Sequence, residues 1–161
     1  MKRVLIGTYV NTHGIRGEIK ILSKFPYKNQ YFQKGKKIII EDNEYIVSNY
    51  RIHKQFDMLC FDNITNINQI EFLKGKQIFG NREDLILEKD EYYIDELINF
   101  NVMMEDKFLG KVIRTDNNNI QDILVLDSKI YIPYVKEWIK KIDTNKKIIN
   151  IYEIGDRKSV V

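Results

Sequence analysis

Not one of the 161 residues is alanine. Alanine is the residue that a helix interior accepts at least cost, while β-branched and aromatic residues favour strands. Isoleucine, asparagine, lysine and tyrosine are abundant instead. The same bias resembles the codon usage of an AT-rich genome. Long helices are disfavoured, and the apolar runs are short. They fall at Val4 to Val10, Ile19 to Leu22, Lys37 to Glu41, Glu44 to Ile52, Asp57 to Phe61 and Gln77 to Phe79. Asp42-Asn43 predicts a two-residue hairpin turn, because both residues tolerate positive φ.

The period changes at Asn66. This residue can cap a short helix with Gln69 as its reciprocal partner. Ile67, Ile70 and Leu73 then recur on one face, and Gly75 suits the position just past the end. The charged run Glu88-Lys89-Asp90-Glu91 lacks apolar periodicity and reads as a linker. The expected organisation is a first domain over 1–84, a linker over 85–92 and a second domain over 93–161. In the second, a helical turn at Ile94 to Ile98 precedes strands at Asn101 to Met103, Phe108 to Thr115, Ile123 to Leu126 and Ile130 to Ile132. Asp116 to Asn119 and Asp127 to Lys129 are polar turns between them. Pro133 ends a strand, since it cannot donate to a ladder. Tyr134 to Ile139 reads as a short helical segment and Lys147 to Tyr152 as the last strand. Gly155 to Val161 reads as a frayed tail.

Neither half has a βαβ rhythm. Many strands at about 8–12-residue spacing predict an all-β protein, with two small β-barrels in tandem. Closure hides sheet edges that would otherwise pair with other chains.

Residues 1–54 hold 11 Lys/Arg against 4 Asp/Glu, residues 55–91 hold 4 against 8, and residues 92–161 hold 11 of each. The net charge of +3 is therefore concentrated as basic character in the first third. Such asymmetry suits a polyanionic partner at one end, although a solvated lysine-rich surface has the same composition. Cys60 is the single cysteine and lies in an apolar run, which suits a buried, inert thiol and excludes an intramolecular disulfide or multi-Cys metal site. No apolar stretch approaches the roughly 18 residues that span a bilayer, so no membrane association is expected. A strand pattern starts almost at Met1, leaving no room for a targeting peptide, and a cytoplasmic location is expected.

The stretch Asn11-Thr12-His13-Gly14-Ile15-Arg16-Gly17-Glu18 joins the first two strands. Its glycines can take positive φ, and it sets an imidazole beside a guanidinium. Arg16 can fork two N–H groups onto a phosphate, while His13 can stack or donate. Gly14 and Gly17 allow close backbone approach. Lys20 and Lys24 are expected to share this surface with Lys2 and Arg3. The alternative is a purely structural turn, with an Arg16–Glu18 pair fixing the hairpin. Catalysis has little support. His13 and His53 are distant in sequence, and neither a phosphate loop, a nucleophile elbow nor a zinc-type cluster is present. No metal or cofactor is expected.

Four motifs in order carry a resemblance to the RimM family of ribosome maturation factors. The first is the Thr12 to Glu18 signature. The second is Gln69-Ile70-Glu71-Phe72-Leu73-Lys74-Gly75-Lys76. The third is Asp90-Glu91-Tyr92-Tyr93-Ile94-Asp95-Glu96-Leu97-Ile98. The fourth combines Leu109-Gly110-Lys111-Val112, Asp122-Ile123-Leu124-Val125 and Ile132-Pro133-Tyr134-Val135-Lys136 and is similar to a PRC barrel. Asn99 stands where the family often has Gly, a mild change because Asn tolerates the left-handed region. The resemblance implies a translation-factor-like barrel followed by a PRC barrel. It implies a monomeric, non-enzymatic assembly factor that binds the immature head of the bacterial small ribosomal subunit and promotes processing of its RNA. The partners implied are small-subunit ribosomal RNA and small-subunit ribosomal protein nineteen. His13, Gly14, Arg16, Gly17, Lys20 and Lys24 are the expected RNA-binding residues, and Tyr92, Tyr93, Lys136 and Trp138 the expected partner-binding ones. Tyr92 and Tyr93 are adjacent, so an extended backbone sends them to opposite sides. Trp138 reads as a core residue first, with a rim position against a partner protein as the alternative. The rival readings are a general RNA-binding barrel acting in translation, a small-molecule enzyme on a β scaffold, and a membrane-associated PRC-barrel subunit.

Overall fold

A computed structural model describes residues 2–153. The chain divides into two compact units, Met1–Ile86 and Leu87–Val161. In the first, six strands close into a barrel. They are β1 (Arg3–His13), β2 (Glu18–Leu22), β3 (Lys37–Ile40), β4 (Asn43–His53), β5 (Phe56–Phe61) and β6 (Gln77–Asn81). Around the barrel the order is β1-β2-β5-β4-β3-β6, and every pairing is antiparallel. Ile6, Ile19, Ile21, Ile38, Ile40, Leu59 and Ile78 fill the interior. Each such side chain contributes about 1.5–3 kcal/mol of burial. Register shifts between Tyr9 and Asn11 and between Val47 and Asn49 bend β1 and β4.

Asp57 is the one buried charged residue among the described residues. The Lys28 Nζ group donates to it at 2.9 Å and the Tyr50 hydroxyl at 2.6 Å. Burial, followed by the hydrogen bond to Asp57, pushes the Tyr50 hydroxyl up to about 12. A buried carboxylate needs this full set of donors to offset its lost hydration.

The second unit holds β7 (Asn101–Met104), β8 (Lys107–Asn117), β9 (Asp122–Leu126), β10 (Tyr131–Pro133), β11 (Ile139–Asp143) and β12 (Ile148–Ile151). They form a six-stranded sheet in the order β10-β9-β8-β7-β12-β11, with β12 parallel to β7 and the other pairs antiparallel. Its core gathers Leu97, Phe100, Val102, Val112, Leu124, Leu126, Ile132, Trp138, Ile149 and Ile151. Asn99 takes φ 77 and its N–H donates to Val112 at 2.7 Å, the left-handed geometry expected for a Gly substitute.

The all-β expectation holds, with local differences. The β3–β4 turn is Glu41-Asp42 rather than Asp42-Asn43, and Glu41 takes φ 57. The Asn66–Gln69 capping box forms as expected and opens a short helix, the 3-10 turn Ile67–Gln69. A second 3-10 turn, Glu71–Leu73, follows at once. Three-residue spacing of Ile67, Ile70 and Leu73 matches 3-10 geometry better than α geometry. Tyr134 to Ile139 is a turn and not a helix. Its backbone is held by Val135 carbonyl bonds from Trp138 and Ile139, and β11 begins at Ile139. The expected tail lies outside the described residues.

Candidate nucleic-acid interface

The β1–β2 hairpin sets His13 opposite Glu18. Gly14 and Gly17 take φ 71 and 98, values that an L side chain rarely adopts. A Cβ on Gly17 would lie 2.7 Å from the Ile64 Cγ2 atom, so only glycine fits there. The Ile67 N–H donates to the Ile15 carbonyl at 2.9 Å. The capped turn that follows Asn66 thus braces the hairpin loop from below. Ile15 is 77% exposed at its tip. Arg16 is exposed, and among the described residues no hydrogen bond or ion pair engages its guanidinium. The alternative Arg16–Glu18 pair does not form.

Glu18 binds Arg51 instead. The Arg51 Nε atom donates at 2.9 Å and a terminal nitrogen at 2.6 Å. This bidentate bond holds the Glu18 carboxyl below its usual range, against the opposing effect of partial burial. It also links β2 to β4 across β5. The neighbouring rings are His13 and His53, with centroids 5.4 Å apart and planes tilted by 56°. Lys20 lies over the Phe56 ring at 5.3 Å. Lys54 takes φ 57 in the β4–β5 turn. Partial desolvation lowers the His53 pKa, and Arg51, His13, Lys54 and Lys20 lower it further by repulsion. Partial burial and the Glu18 charge push the Cys60 thiol up, so it is not an activated nucleophile.

Two imidazoles, the Arg51 guanidinium and the Lys20 and Lys54 ammoniums on one face can take an anion. The arrangement is a poor general-base centre, since both Glu18 oxygens are already occupied by Arg51. Among the described residues, no three His, Cys, Asp or Glu side chains gather to hold a metal ion. The structure therefore brings together His13 and Lys20 from the expected set. Lys24 is exposed in the loop beyond β2, with no hydrogen bond, ion pair or ring contact to the cluster among the described residues. Arg3 lies elsewhere: it pairs with Asn81 of β6, and its guanidinium donates to the Glu41 carbonyl at 2.9 Å. Arg51, His53 and Lys54 complete the face and are not in the expected set.

In the second unit, Tyr92 packs against the core. The Tyr93 hydroxyl donates to Asp95 at 3.0 Å, and Asp95 in turn accepts from Thr115. Trp138 is only 8% exposed, which makes it a core residue. Lys136 is exposed in the turn before it. An open groove of about 610 Å³ is lined by Ile113, Arg114, Val125, Asp127, Lys129 and Tyr131.

The RimM N-terminal domain model matches residues 4–85, and the RimM PRC barrel domain model matches residues 94–152. The chain belongs to the RimM family. The ribosome maturation factor RimM of Staphylococcus aureus strain bovine RF122 is 41% identical over 157 residues, covering 91% of this chain and 94% of the relative. The same protein from strain MRSA252 matches equally well. Among solved structures, a RimM described as a 16S ribosomal RNA processing protein, from Pseudomonas aeruginosa, aligns with a TM-score of 0.47. It has 19% identity and covers 94% of this chain and 98% of its own. The N-terminal domain of RimM from Thermus thermophilus aligns with a TM-score of 0.47 and 15% identity, covering 54% of this chain and 98% of its own.

Within the RimM frame, the residues missed by sequence reasoning share one property. Arg51, His53 and Lys54 lie more than thirty positions from the signature loop and reach it only through strand pairing. The signal available in the sequence was the Arg51-Ile52-His53-Lys54 run, basic and close to a turn.

Proposed function

We propose that this chain is a maturation factor for the small ribosomal subunit, acting by binding rather than by making or breaking covalent bonds. Membership of the RimM family across both domains carries this reading. The exposed basic face of the first unit supports 16S ribosomal RNA of the immature subunit head as its ligand. Phosphate contacts by Arg and Lys supply most of the affinity in such interfaces. The RNA-binding set is His13, Gly14, Arg16, Gly17 and Lys20, with Lys24 at its margin.

The second unit is proposed to meet small-subunit ribosomal protein nineteen through Tyr93 and Lys136. Tyr92 and Trp138 are proposed to position that surface from the core, consistent with their packing. The protein works as a cytoplasmic monomer without a cofactor. Depletion tests the reading directly. Loss of the chain should accumulate immature small subunits carrying unprocessed 16S ribosomal RNA, and a normal subunit profile would refute it. Capture of polysomes or transfer RNA, with no immature subunits, would favour a general RNA-binding protein of translation.

A further inference from the structure

We propose that His13 and His53 form a proton-linked site for a phosphodiester group, flanked by Lys20, Arg51 and Lys54. The proposal rests on the RNA-binding reading above and adds a second hairpin and a proton to it. The two imidazoles come from different hairpins, β1–β2 and β4–β5, yet their centroids are only 5.4 Å apart. Neither ring belongs to the buried core, so an anion can reach both.

The charges facing the pair are nearly all positive. Lys20 comes from β2, and Arg51 and Lys54 from β4 and its turn. Among the described residues the carboxylate on this face is Glu18, and Arg51 occupies both its oxygens. Cys60 of β5 lies against the same carboxylate at 4.0 Å, as a neutral thiol. Asp57, the next carboxylate on β5, is buried with Lys28 and Tyr50 and does not offset the positive face.

The His53 imidazole, partly desolvated and set beside His13 among cations, resists protonation in the free protein. A phosphate supplies the missing negative charge and draws a proton onto the pair as it binds. The pair's proton affinity is then higher in the complex than in the free chain. Binding is strengthened at pH below the complex value and weakens as pH rises through it.

Titration calorimetry of the full chain with protein-free 16S ribosomal RNA tests this, in two buffers of different ionisation enthalpy. Proton uptake on binding is expected at pH 6.5 on the order of one half to one proton per chain, with affinity up to about tenfold higher at pH 6 than at pH 8. The double variant His13→Gln/His53→Gln should bind with the same affinity at both pH values, its fold checked by thermal melting. RNA binding by the wild-type chain without proton uptake would overturn the histidine site and leave the RNA reading standing. Absence of RNA binding at both pH values would overturn both. The wild-type measurement decides the matter even if the double variant fails to fold.

Discussion

The two units solve the same problem with different use of polar groups. The first closes its sheet, buries a carboxylate inside it and gathers His13, Lys20, Arg51 and His53 of β1, β2 and β4 on its outer face. The second builds its core from apolar side chains alone, and its Lys/Arg and Asp/Glu are balanced at 11 each over residues 92–161. Charge that is not needed for the fold is charge available to a partner. By that criterion the first unit is the one we propose to meet a polyanion. The second offers a compact platform whose aromatic residues are largely committed to packing.

Trp138 separates the units most sharply. Trp138→Ala should destabilise the second unit by about 3–5 kcal/mol, read by denaturant unfolding, because the indole leaves a large cavity. Trp138→Phe should cost much less. A loss below about 1 kcal/mol for the alanine variant, with weakened subunit binding, would make Trp138 a contact and not a core residue.

The next largest effect belongs to the barrel interior. Asp57→Ala strands the Lys28 ammonium and the Tyr50 hydroxyl, and should cost about 2–4 kcal/mol, with part of the ion-pair contribution screened because Lys28 is one-third exposed. In the variant the Tyr50 hydroxyl should titrate below its native value of about 12 but still above an ordinary tyrosine, because burial, the larger cause, remains; tyrosinate absorbance reads the change. An unchanged titration would mean that burial alone sets it.

A smaller effect is expected at the Glu18–Arg51 link. Arg51→Ala should return the Glu18 carboxyl upward toward the ordinary carboxylate range, followed by carbon-detected NMR titration. The native carboxyl is depressed, so its contribution to stability is present above the unfolded-state pKa and is lost as pH falls through the folded-state value. The variant should therefore lose less stability on acidification than the wild type. Equal acid sensitivity would show that the bond does not bear on folding.

The hairpin signature and the Asn66 cap were legible in the sequence because they are local: glycines, a capping residue and its partner lie within a few positions. The β11 strand was not. Tyr134 to Ile139 has helix-like spacing of apolar residues, but Pro133 before it and tertiary pairing with β12 impose a turn and then a strand. The basic face was half legible. His13 and Lys20 are close in sequence, whereas Arg51 and His53 join them only when β5 is inserted between β2 and β4. Arg3 was misplaced for the converse reason: closeness in sequence to the first strand put it at the other end of β1.

The outer face of the first unit is proposed to grip RNA through phosphate contacts. The most direct test is the salt dependence of binding to immature small subunits, for wild-type chain and the triple variant Arg16→Gln/Lys20→Gln/Lys54→Gln. Each lost phosphate contact removes about 0.7–0.9 from the slope of log affinity against log salt, so the triple variant should bind more weakly with a slope smaller by about 2–3. Identical slopes for the two proteins, at any affinity, would contradict the claim and move the RNA-binding surface elsewhere on the molecule.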